Sequence, residues 1–104
     1  MANEIDVVLM SGMQPIFISC KTGKTVGKEE LYEISSLAEH FHAKAVLAVT
    51  KNLDNESKSL LLLRAKQMGV SLIGFETIFD KKRIDYALKQ LSEGKTVFGT
   101  ETKI

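Results

Sequence analysis

The stretch Asn-Glu-Ile-Asp-Val-Val-Leu-Met-Ser-Gly-Met-Gln-Pro-Ile-Phe-Ile-Ser-Cys-Lys-Thr-Gly-Lys, residues 3–24, decides how the rest of this chain is read. Its first part, Glu4 to Met10, is rich in β-branched and apolar residues and reads as a strand. Ser11-Gly12-Met13-Gln14 makes a turn, and Pro15 opens a second strand running from Ile16 to Cys20. Two short strands joined by a glycine-containing turn form a β-hairpin. Alternation with a period of two sends Ser19 and Lys21 to one face of it and Cys20 to the other. Asp6 sits inside the apolar first strand, where a carboxylate without a partner is expensive. The hairpin register can set it across from Ser19 and Lys21.

Outward from the hairpin, Lys21-Thr22-Gly23-Lys24-Thr25 breaks the pattern, and a helix is expected from about Lys28. Leu31, Ile34, Ser35, Ala38, Phe41 and His42 fall on one helical face. Ala45-Val46-Leu47-Ala48-Val49 is a continuous apolar run, as in a strand buried on both sides. Asn52 to Asn55 is a turn and capping cluster. It leads into a helix through about Met68, with Gly69 as a left-handed stop. Val70 to Phe75 reads as a further buried strand. Asp80 is placed to cap a last helix that turns Ile84, Ala87, Leu88 and Leu91 inward and stops at Gly94. Val97 to Ile104 is an edge strand or a tail. The order β-β-α-β-α-β-α predicts an α/β fold, a mixed β-sheet flanked by helices in a single domain over residues 1–104.

Composition narrows the class. A chain of 104 residues with 44% apolar content and a net charge of +1 has the balance of a small globular domain. A domain of this size buries relatively little surface, so a homodimer or a missing N-terminal segment is expected. There is no basic arm, and a nucleic-acid partner stays open, because a few lysines suffice for phosphate contacts. The single cysteine, Cys20, has no internal disulfide partner, which suits a reducing, cytoplasmic setting. The N-terminus has no secretory pattern, and runs such as Leu60 to Leu63 are far too short to span a bilayer.

Familiar catalytic signatures are absent: no dinucleotide or phosphate loop, no nucleophile elbow, no zinc-protease helix. Cys20 lies at a strand end while His40 and His42 lie late in the first helix, so a Cys/His nucleophilic pair is not expected. What remains is Asp6 with Lys21. The plain structural reading is an ion pair closing the sheet edge, and on spacing alone it stands ahead of a catalytic one.

The segments Asn3-Glu4-Ile5-Asp6-Val7-Val8 and Ile16-Phe17-Ile18-Ser19-Cys20-Lys21-Thr22-Gly23 resemble the site hairpin of PD-(D/E)xK nucleases, the restriction-endonuclease-like superfamily. The resemblance is closest to the C-terminal nuclease domain of CRISPR-associated ancillary nucleases that also carry a CARF sensor domain. Glu30-Leu31-Tyr32-Glu33, Ser36-Leu37-Ala38 and Arg64-Ala65-Lys66-Gln67-Met68-Gly69-Val70 extend it, though only the hairpin is specific. It implies metal-dependent cleavage of DNA or RNA phosphodiesters. Mg²⁺ or Mn²⁺ lowers the pKa of a bound water and shields the phosphate. Carried over by position, Asp6 is the metal-binding aspartate, Lys21 the catalytic lysine, and the Cys20 carbonyl a further metal ligand.

Position 19 departs from the family pattern: it holds Ser19 where a glutamate is expected, and serine brings no second negative charge. Two explanations stand side by side. The acid has migrated to Glu30 or Glu33 in the first turns of the next helix, with Glu4 as a third, supporting candidate. Alternatively, the domain is a degenerate nuclease that binds nucleic acid or dimerises without cutting. The family core also has a helix and a strand before this hairpin, and here the sequence opens on the hairpin itself.

Overall fold

The computed structural model describes residues 6–21 and 28–98. Strand β1, Val7–Ser11, pairs antiparallel with β2, Gln14–Lys21, from Val7 opposite Ile18 to Ser11 opposite Gln14. Gly12 and Met13 alone connect them, and Gly12 takes a φ of 61°. A two-residue hairpin loop with positive φ at its first position suits glycine there.

From β2 the chain runs through helix α1, Lys28–His40, to strand β3, Lys44–Val49, which pairs parallel with β2. Helix α2, Asn55–Met68, then returns it to β4, Ser71–Ile73, parallel to β3. The fold is therefore α/β, with a four-stranded mixed sheet in the order β1-β2-β3-β4 and helices on its faces. A single turn of helix, α3 at Phe75–Ile78, precedes the last helix, α4 at Lys81–Ser92. No helix among the described residues is long and apolar enough to cross a membrane.

Two cores flank the sheet. Phe17, Ala45, Leu47, Val49 and Leu72 pack against Leu31, Ile34 and Ala38 of α1 and Leu61 and Ala65 of α2. Ile16, Ile18, Val46, Ala48 and Ile73 pack on the other side with Ala87 and Leu91 of α4. The continuous apolar run at Ala45–Val49 is thus the central strand, buried throughout.

Local chemistry sets the helix ends. Asp54 accepts a 2.7 Å hydrogen bond from the Ser57 backbone nitrogen at the start of α2. At its end Gly69 adopts φ 70°, its N–H reaches the Lys66 carbonyl, and the Val70 N–H donates to Ala65. Asp80 caps α4 by accepting from the Lys82 and Arg83 backbone nitrogens.

Three expectations change. The buried strand expected at Val70 to Phe75 is only Ser71–Ile73, because Gly74 turns the chain out and Phe75 starts the extra helical turn. Phe41 and His42 lie past the end of α1 and are exposed, His42 with a φ of 54°. Leu88 is 38% exposed and stands at the edge of the α4 contact. Of Val97 to Ile104, read as an edge strand or a tail, Phe98 makes one isolated bridge to Leu72, and residues 99–104 lie outside the described residues.

Leu47→Ala removes a wholly buried side chain from the central strand and is expected to cost about 3 kcal/mol in urea denaturation. Leu88→Ala is expected to cost less than about 1 kcal/mol. Equal losses would contradict the assignment of the α4 core face.

Candidate functional site

The open end of the hairpin collects the residues that the sequence singles out. The Asp6 N–H donates to the Ile18 carbonyl at 2.9 Å, extending the ladder one residue beyond β1. Its carboxylate then accepts a 2.7 Å hydrogen bond from the Cys20 backbone nitrogen through Oδ2. A side chain thus satisfies a β2 donor that faces the β1 side of the sheet, which accounts for an acid at this place in an apolar hairpin.

Ser19 is 2% exposed and pairs with Leu47 of β3. Its hydroxyl makes no hydrogen bond among the described residues. Lys21 ends β2 beside Val49, and its carbonyl accepts from both the N–H of Thr50, at 3.1 Å, and the Thr50 hydroxyl, at 3.3 Å. Thr50 was not singled out from the sequence, although it directly follows the apolar run that marks β3.

The Asp6–Lys21 ion pair expected from spacing does not form: no carboxylate among the described residues lies within 4 Å of the Lys21 ammonium. The acid is held by the backbone, and the base stands apart from it. Cys20 is a free, exposed thiol. Partial burial, and secondly the nearby Asp6 charge, push that thiol above its usual pKa. It is therefore a poor nucleophile at neutral pH.

Glu30 and Glu33 are half-buried in the first turns of α1. The described residues hold no group of three or more His, Cys, Asp or Glu side chains placed to share a metal ion. Glu4 lies outside the described residues. A tightly held divalent cation wants several oxygen ligands, usually with more than one carboxylate among them. The described hairpin end offers the carboxylate of Asp6, already bonded to Cys20, and an uncharged serine at position 19. Among the described residues, the hairpin end therefore brings one carboxylate toward such an ion.

Compared with family models, with curated proteins and with solved structures, the chain finds no match.

Asp6→Asn removes the charge that opposes ionisation of Cys20 while keeping an oxygen for its N–H. Alkylation of Cys20 by iodoacetamide at pH 8 is expected to run faster in this variant than in the parent, since the lowered thiol pKa raises the thiolate fraction. An unchanged rate would show that burial alone sets the thiol.

Proposed function

We propose that this chain is a nuclease-like domain, of restriction-endonuclease type, that acts on the phosphodiester backbone of DNA or RNA at the open end of the β1–β2 hairpin. The observation that carries the reading is that Asp6 and Lys21 both lie at that end of the hairpin without pairing with each other. A structural ion pair would satisfy both groups and leave nothing for a ligand. Here the carboxylate is oriented by the Cys20 N–H, and the lysine keeps its charge for an incoming phosphate.

Each residue has a distinct part. Lys21 draws the phosphate in and offsets negative charge that develops on it. Thr50 fixes the Lys21 backbone through its two hydrogen bonds. Asp6 would contribute the one carboxylate toward a Mg²⁺ or Mn²⁺ ion that activates the attacking water, and Ser19 contributes none. Hydrolysis is accordingly weak. The setting that suits the free thiol of Cys20 is reducing and cytoplasmic, and the resemblance points to a CRISPR-associated role.

The test is cleavage of single-stranded and plasmid substrates with Mg²⁺ or Mn²⁺. Slow cutting is expected from the parent, with Lys21→Ala about 10²-fold slower and Asp6→Ala without activity. Ser19→Glu restores a second carboxylate and is expected to raise the rate at least tenfold. Because position 19 is buried, the same variant should lose thermal stability without metal and regain it with Mn²⁺. Cutting by Asp6→Ala at the parental rate would sink the proposal.

The buried, uncharged Ser19 favours a second reading, in which the same fold binds nucleic acid or forms a homodimer without cutting. Absence of cleavage with every ion, together with oligonucleotide retardation or a defined dimer in solution, would select it.

A further inference from the structure

We infer that a cleft beside the hairpin end receives one unstacked nucleotide of the bound strand, with its base against Phe75 and its phosphate on Lys51. The inference rests on the nuclease-like reading and assigns a subsite within it. The cleft is a shallow, partly open depression, and the space of about 270 Å³ over its walls includes open solvent. Leu53, Leu61, Leu72 and Phe75 supply apolar wall, and Lys51, Lys58 and Glu76 supply its charges.

Position argues first for a ligand continuous with the hairpin site. The cleft lies at the carboxyl ends of β3 and β4, the end of a parallel sheet where open α/β folds bind their ligands. Lys21 ends β2 on the same side. Its register partner Val49 lines the cleft, about 5 Å away across one strand spacing. Thr50, bonded to the Lys21 carbonyl, leads directly into Lys51. A strand whose phosphate sits on Lys21 would therefore carry its neighbouring nucleotide to this cleft.

Charge then sets the orientation. Lys51 is exposed and has no ion-pair partner among the described residues. Lys58 is engaged by Glu76, whose carboxyl is held below its usual range first by the hydrogen bond from Lys58. Glu76 thus stays ionised and repels a phosphate from its side. The phosphate goes to Lys51, while the apolar wall and the Phe75 ring suit the flat face of a base.

Binding of a short fluorescein-labelled oligothymidylate to the full chain, without metal, separates the possibilities by anisotropy. A length-matched abasic strand is expected to bind about tenfold more weakly. Phe75→Leu should bring the two strands to similar affinity, with secondary structure checked by circular dichroism. Lys51→Gln, at an exposed position, should weaken both strands alike and reduce the salt dependence by about one phosphate contact. Equal binding of normal and abasic strands by the parent, or parental binding by both variants, would overturn the subsite and leave the nuclease-like reading standing. No binding of either strand by the parent would remove both.

Discussion

Val46 and Leu47 are neighbours in sequence, face opposite sides of the sheet, and are both wholly buried. A strand in that position needs a layer of helix on each face and a hydrogen-bonded neighbour on each side. The α1 and α2 crossovers supply one layer and the two parallel partners, and α4 supplies the other. Because β3 demands a parallel partner in β2, the carboxyl ends of β2, β3 and β4 come to one side of the sheet. Lys21, Thr50 and Gly74 are brought together there by the burial of residues that have no chemistry of their own.

The hairpin adds the single acid. Antiparallel pairing carries β1 back along β2, so that Asp6 arrives at the same end as Lys21. The backbone N–H of Cys20 then decides what the carboxylate does. A charge-assisted bond to a main-chain donor fixes the acid without consuming the lysine, and so the two charges stay separately available. Among the described residues this leaves one carboxylate and one ammonium at the same end of the hairpin, not paired with each other.

Features written in local chemistry were legible in the sequence. The left-handed stop at Gly69 and the cap at Asp80 each depend on one residue and its immediate neighbours, and both stand where expected. The Ala45–Val49 run was legible because continuous burial needs continuous apolarity. Boundaries that depend on tertiary context were not. Val70 to Phe75 is apolar enough for a strand, but Gly74 ends it early, and a short apolar run reads equally as strand or helix. At the site, alternation gives which residues share a face, while the choice of Asp6 between an ammonium and a main-chain N–H depends on angstrom-scale reach. The cleft was illegible for a similar reason. Leu53, Leu61, Leu72 and Phe75 come from four separate segments, and only the folded sheet makes them adjacent.

The two borders of the sheet are finished differently. On the β4 side the tail returns: Leu72 donates to the Val97 carbonyl, Val97 donates to the Ser71 hydroxyl, and the Phe98 ring lies under the Lys66 ammonium at 5.4 Å. On the β1 side the strand itself, Val-Val-Leu-Met-Ser, holds no proline or charge, Asp6 stands at its start, and Val8 and Met10 are more than half exposed. Among the described residues, one border is hemmed and the other is raw. Concentration will therefore act on this protein at β1, where an added strand meets apolar side chains and, among the described residues, the single charge of Asp6 at one end.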